Sequence, residues 1–167
     1  MILYPKFYLK SVKEISIDLL RNNNIKGLIL DVDNTLIDVD RNLIEGAEEW
    51  CQNLKKQGIR ICILSNTNHE EKVKDVAKNL EIPYIYFAKK PFKRGFYRAK
   101  KLLEMEKNHE IGVVGDQLFT DVIGANRVKM VPILVQPVDK RDYWYTKVKR
   151  PIENIFIKRY IKSTEEK

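Results

Sequence analysis

The sequence predicts an α/β domain in which a five-stranded, mostly parallel sheet lies between two layers of helices. Three observations carry this expectation. Five short runs, at 27–32, 59–64, 84–87, 111–114 and 131–135, are rich in Val, Ile and Leu. They are near-continuous rather than alternating, as strands are when both faces of a sheet are covered. Helical patterns fill the intervals, so strand and helix alternate. With 167 residues, 44% of them hydrophobic, the chain is long enough for one domain around a substantial core.

Ser11 and Glu14 stand at capping-box spacing and predict a helix to about Arg21, ended by Asn22, Asn23 and Asn24. Residues 1–26 are therefore expected as an N-terminal helical extension. Residues 45–57 form the next helix, with Gly58 as its stop. Residues 68–80 follow, with Asn68 and Glu71 at cap spacing. A fourth helix is expected over 93–105, and a shorter fifth from about Thr120. No interval is long enough for an inserted cap domain, so a site above the sheet is expected to be open. After Val135 the character changes to a basic C-terminal tail, 137–167, interrupted by Pro137, Pro151, Lys140-Arg141 and Lys149-Arg150. Pro151 is placed to start a last helix with Ile152, Ile155 and Phe156 on one face. Residues 163–167 are expected to fray. The whole chain, 1–167, reads as a single domain without repeats.

The formal net charge is +8, and basic residues thicken over 89–107 and 140–162. Such a field suits anionic partners: phosphate esters, nucleic acid or acidic lipid. No segment approaches the ~20 apolar residues of a membrane span. The first residues lack the basic start and apolar stretch of a cleaved leader. Cys51 and Cys62 fall in a predicted helix and strand, where two reduced, buried thiols are expected. These features predict a cytoplasmic protein, with contact to the membrane at most peripheral. His69 and His109 are isolated, and the four His and Cys residues lack the spacing of a zinc site.

The chemistry concentrates where predicted strands end, which is where open α/β sheets bind ligands. Asp31-Val32-Asp33-Asn34-Thr35 follows the first run. Positions two apart on a strand share a side, so Asp31 and Asp33 are neighbours. Two like charges at about 4 Å repel by roughly 1 kcal/mol in water and several-fold more near an interior. A bound cation or a shifted proton would offset that cost. Ser65-Asn66-Thr67 follows the second run, and Ala88-Lys89-Lys90-Pro91 the third. Gly115-Asp116 through Asp121 follows the fourth. Each group is ordinary alone; their joint occurrence in this order is not. In a doubly wound order, the first and fourth runs lie side by side and Asp116 comes next to the Asp31 and Asp33 pair.

These residues resemble the four motifs of the haloacid dehalogenase (HAD) superfamily of phosphatases. The DVDNTL, SNT, KP and GDQLFTD stretches, with Tyr4-Pro5 and Arg150-Pro151-Ile152-Glu153, are similar to its subfamily IIIA branch called the YqeG family. That branch is in turn similar to phosphatidylglycerophosphate phosphatases. The resemblance implies a HAD-like Rossmannoid three-layer sandwich without a large cap. It also implies a Mg²⁺-dependent phosphomonoester hydrolase working through an aspartyl-phosphate. Asp31 would be the nucleophile and Asp33 the general acid and base. Ser65, Asn66 and Lys90 would hold the phosphoryl oxygens, Lys90 also neutralising charge. Asp31, the Asp33 backbone carbonyl and Asp116 would bind Mg²⁺, with Asp121 and Thr35 behind them. Lys89 competes with Lys90, and Lys90 is favoured by its place before Pro91.

The reaction is more legible than the substrate. The resemblance favours phosphatidylglycerophosphate or a similar anionic phosphate ester, with an anionic phospholipid surface as partner. The aromatic residues Tyr4, Phe7, Tyr8 and Tyr143-Trp144-Tyr145 suit a membrane surface, although packing within the fold is the more ordinary role for them. A nucleic-acid end phosphatase is the alternative, because bases can stack on Tyr143-Trp144-Tyr145. A non-catalytic RNA- or protein-binding scaffold is a further alternative, which the full set of catalytic groups opposes. After the fourth motif the chain has Ala125 where a second Gly is common, Lys129 where Gly often ends the helix, and Pro132 inside the last run.

Overall fold

The structure is a computed structural model that describes residues 1–141 and 148–165. Its strands are β1 (Phe7–Leu9), β2 (Gly27–Leu30), β3 (Arg60–Leu64), β4 (Tyr84–Ile85), β5 (Ile111–Gly115) and β6 (Val131–Val135). Its helices are α1 (Ile17–Asn22), α2 (Ala47–Lys56), α3 (Glu70–Leu80), α4 (Lys93–Leu102), α5 (Ile123–Arg127) and α6 (Arg150–Glu165). The strands form one sheet in the order β4-β3-β2-β5-β6-β1, and all its pairings are parallel. Leu30 and Val114 face each other in register, so the chain leaves β2 and β5 side by side at the same height.

Alternate residues of the central strands feed two cores. Leu28, Leu30, Ile61 and Ile63 pack with Leu20 of α1, Cys51 and Leu54 of α2, and Val73 and Leu80 of α3. Ile29, Cys62, Leu64 and Val113 pack on the other face with Phe96 and Ala99 of α4 and Ala125 of α5. This burial on both faces is why the strand runs lack alternation. Both cysteines are buried free thiols, as expected. Among the described residues no connection carries an inserted cap.

Several expectations need correction. The sheet has six strands rather than five, because Phe7, Tyr8 and Leu9 pair with Ile133, Leu134 and Val135. Residues 1–26 are therefore not a helical extension; they begin with an edge strand. Three residues carry little local signal, and the pairing with β6 makes the strand. The expected helix from Ser11 is also split. Ser11 caps a short 3₁₀ turn, Val12–Glu14, and Ile15 is extended. Ser16 then caps α1, accepting from the Leu19 N–H at 3.1 Å. Tyr4, Phe7 and Tyr8 are half-buried within the fold: Tyr4 meets Tyr160 edge to face at 5.6 Å, and Phe7 and Tyr8 pack on core clusters.

The segment after β6 is less of a tail than its composition suggests. The N–H groups of Val138 and Asp139 donate to the backbone and side-chain oxygens of Asn34, at 3.0 and 3.2 Å. Arg141 reaches Asp40 at 2.7 Å. In α6 the inward face carries Glu153, Phe156 and Ile157, the last two against Leu118, Val122 and Leu134. Ile152 and Ile155 are exposed, contrary to expectation, and residues 163–165 continue the helix. Tyr143-Trp144-Tyr145 lies outside the described residues.

Lys129 stands in the left-handed region (φ 58°), two residues past the end of α5 and with its side chain exposed. An L side chain there costs roughly 1–2 kcal/mol that glycine avoids. Lys129→Gly is therefore expected to raise stability by about 1 kcal/mol, measured as a higher urea midpoint at unchanged slope.

Candidate active site

The site sits at the C-terminal ends of β2, β3, β4 and β5. Val32, buried behind β2, holds the chain so that Asp31 is buried and Asp33 is turned toward α3. A turn follows, in which the N–H groups of Thr35 and Leu36 donate to the Val32 carbonyl. Asn34 is at φ 56°, a conformation that Asn tolerates better than most residues. Its N–H donates to the Ile37 carbonyl at 3.0 Å, and its own oxygens accept from Val138 and Asp139.

Asp31, Asp116 and Asp121 converge, each offering an oxygen within 4.8 Å of the others, and all three are buried. Lys90 enters from beyond β4. Its Nζ donates to Asp31 Oδ1 and Asp121 Oδ1, at 2.7 Å each. Lys89 is exposed with its Nζ 4.9 Å from the Phe87 ring, so Lys90 is the lysine brought into the cluster. Asn66 fixes the Lys90 backbone by accepting from its N–H at 2.6 Å and donating to its carbonyl at 3.0 Å. Ser65 is buried, and its Oγ accepts from the Thr67 N–H at 3.3 Å. Gly115 is required here because any Cβ at that position would overlap the Asp121 carboxylate. Asp121 lies in a short π-helix, Leu118–Val122, and its Oδ2 accepts from the Gln117 N–H at 3.2 Å.

Burial pushes the Asp31 carboxyl up to about 7 against the pull of Lys90, with Asp121 and Asp33 adding to the rise. Burial also raises Asp116 well above the usual carboxylate range, although Arg150 opposes it. Burial disfavours the Lys90 charge, but Asp121 and Asp31 outweigh it and hold the lysine above its ordinary value.

Two further basic contacts complete the site. Lys72 of α3, buried, donates to Asp33 Oδ1 at 2.6 Å. It occupies a helix position otherwise filled by Val73, Val76 and Leu80, and only the fold shows that it faces the site. Arg150, the first residue of α6, donates through Nη1 to the Asp116 carbonyl at 2.8 Å and through Nη2 to Asp116 Oδ2. Glu153, one turn on and buried, lies 3.6 Å from Arg150 and accepts from the Phe119 N–H at 3.1 Å. Arg150 and Glu153 stand in the Arg-Pro-Ile-Glu stretch noted in the sequence, which could have marked them.

Three carboxylates thus face two cations. The oxygens that Lys90 and Arg150 leave, Asp31 Oδ2 and Asp116 Oδ1, each lie 3.5 Å from the Thr35 hydroxyl. This donor set is all hard oxygen, buried and short of positive charge, and it fits a divalent cation. The Asp33 side chain is not part of the cluster. A cavity of ≈ 490 Å³ opens above it, lined by Asp31, Asp33, Arg41, Lys72, Lys90 and Lys149. His69, isolated in the sequence, also lines it. A larger cavity of ≈ 610 Å³ lies beside Arg60, at the N-terminal end of β3, away from the carboxylate cluster.

A parallel sheet with this carboxylate and lysine cluster at its strand ends is the arrangement that the resemblance to HAD phosphatases implies. A profile described as "Mitochondrial PGP phosphatase" matches residues 1–138, and the chain belongs to this PGP phosphatase family. The "Probable phosphatase YqeG" of Bacillus subtilis (strain 168) is 41% identical over 150 residues, covering 89% of this chain and 86% of that protein. A crystal structure of a HAD-superfamily hydrolase from Ehrlichia chaffeensis matches at a TM-score of 0.58 and 20% identity, over 82% of this chain and 98% of that one. An uncharacterized protein from Listeria monocytogenes serotype 4b matches at a TM-score of 0.56 and 25% identity, over 71% of this chain and 85% of that one.

Glu153→Ala would leave the Phe119 N–H without its buried acceptor and remove the carboxylate 3.6 Å from Arg150, which keeps its bonds to Asp116. A loss of about 1–3 kcal/mol is expected, measured as a lower urea midpoint. Glu153→Gln keeps an acceptor oxygen and is expected to recover part of it.

Proposed function

We propose that the chain is a Mg²⁺-dependent phosphomonoesterase whose substrate is phosphatidylglycerophosphate or a closely similar lipid phosphate. The observation that carries the reaction is the buried Asp31, Asp116 and Asp121 cluster held by Lys90. The substrate preference is supported by the family and by the cavity rim, where Arg41, Lys72 and Lys149 favour an anion.

Asp31 attacks phosphorus, its oxygen forming the new P–O bond as the ester oxygen leaves with the bonding pair. Asp33 gives that oxygen a proton, then takes one from the water that hydrolyses the aspartyl-phosphate. Lys72 orients Asp33 for both transfers. Lys90 offsets the charge of Asp31 and of the phosphoryl group. Ser65 and the backbone about Asn66 bind the phosphoryl oxygens. Asp31, the Asp33 carbonyl and Asp116 would hold Mg²⁺, which would supply charge neutralisation for an anion approaching an anion. Asp121 acts through Lys90 rather than directly.

Asp31→Asn is expected to lower phosphate release by at least about 10³-fold, and excess chelator to abolish it reversibly. Asp33→Asn is expected to lose about 10²–10⁴-fold. The assay compares phosphatidylglycerophosphate in micelles, a 3′-phosphorylated oligonucleotide and a small aryl phosphate. Preference for the lipid is expected. Preference for the oligonucleotide would overturn the substrate, and full turnover in chelator the metal.

A further inference from the structure

Among the described residues, the most exposed aromatic side chains are not the half-buried N-terminal ones but those around the β4–α4 connection. Phe87 is 52% exposed, Phe92 64% and Tyr97 46%. Large apolar side chains left open together mark a contact surface. Phe87, Lys89, Phe92, Arg94 and Arg98 line one shallow groove of ≈ 400 Å³. The chain has no Asp or Glu between Glu81 and Glu104. Among the described residues, no carboxylate pairs with Lys89, Lys93, Arg94 or Arg98. The patch is therefore apolar at its centre and uniformly positive around it.

Its place in the fold is equally specific. The N–H groups of Phe87 and Ala88 donate to the carbonyls of Thr67 and Ser65, at 2.8 and 2.9 Å, which seats this segment on the rim of the site. Lys90 turns inward to Asp31 while its neighbour Lys89 turns outward onto Phe87. One short segment thus presents a catalytic lysine to the interior and the aromatic and basic patch to the exterior.

We infer that this rim, Phe87, Lys89, Phe92, Lys93, Arg94 and Arg98, docks the protein on an anionic lipid bilayer. Phenylalanine rings bury in the boundary between headgroups and acyl chains, tyrosine sits at the headgroup level, and surrounding Lys and Arg pair with acidic headgroups. Base stacking is less well served, because one face of Phe87 is already covered by the Lys89 ammonium. Docking in this orientation sets the site mouth beside the bilayer. That consequence, though not the docking itself, rests on the proposed lipid substrate.

The test is co-sedimentation of the full chain with vesicles of phosphatidylglycerol and phosphatidylcholine, or of phosphatidylcholine alone. Neither lipid carries a phosphomonoester, so binding is scored without turnover. The wild type is expected to bind the anionic vesicles at least about tenfold more tightly than the neutral ones. The doubles Phe87→Ser/Phe92→Ser and Arg94→Glu/Arg98→Glu are each expected to lose about tenfold or more while keeping the wild-type unfolding midpoint. Asp31→Asn is expected to bind as the wild type does, which separates docking from catalysis. Equal binding to neutral vesicles would overturn the inference. So would wild-type binding by both doubles, or loss of single-stranded oligonucleotide binding by the doubles with no vesicle binding by the wild type.

Discussion

The molecule is organised around one electrostatic imbalance: three buried carboxylates, Asp31, Asp116 and Asp121, against two buried or half-buried cations, Lys90 and Arg150. Charges a few ångströms apart near a protein interior interact by several kcal/mol, so such a cluster holds together only if the surrounding structure imposes it. The sheet does so. Parallel pairing of β2 with β5 brings Asp31 and Asp116 to the same level, and β4 delivers Lys90 from the other side. Gly115 clears the space into which Asp121 folds back. The burial that packs the strands also drives Asp31 and Asp116 above the usual carboxylate range. The core and the chemistry therefore share one cause.

Peripheral elements serve the same cluster. Strand β1 covers β6, and α6 packs on Leu118, Val122 and Leu134, beneath which the π-helix carries Asp121. From that position α6 extends Arg150 to Asp116 and anchors it with Glu153. These two residues lie beyond 138, the last residue that the family profile matches. The segment following β6 is tied to Asn34 in the turn after β2. The C-terminal part thus braces the site on the side opposite Lys72 and α3.

What was legible in the sequence follows from where the information is local. The central strands could be read because burial on both faces forces continuous Val, Ile and Leu. Asp31, Asp33, Ser65, Lys90, Asp116 and Asp121 could be read because each follows such a strand. The choice of Lys90 over Lys89 rested only on Pro91, and the structure brings Lys90 into the cluster. By contrast, β1 depends on β6, more than a hundred residues away, and three residues cannot announce that. Lys72 looks like any helix lysine until α3 is packed beside β2. Arg150 and Glu153 were visible as a stretch but not as partners of Asp116 and Phe119. The inward face of α6 was misread because Glu153, a charged residue, is buried while Ile152 and Ile155 are not.

Whether the third positive charge is a divalent cation decides the interpretation. The direct measurement is the unfolding midpoint as a function of Mg²⁺ concentration, for the wild type and for Asp116→Asn. A bound ion stabilises the folded state by about 2.7 kcal/mol at a hundredfold excess over its dissociation constant. A wild-type midpoint that climbs with millimolar Mg²⁺ is predicted, with little or no climb in Asp116→Asn. A wild-type midpoint indifferent to Mg²⁺, or an equal climb in both proteins, would contradict a metal held by these carboxylates.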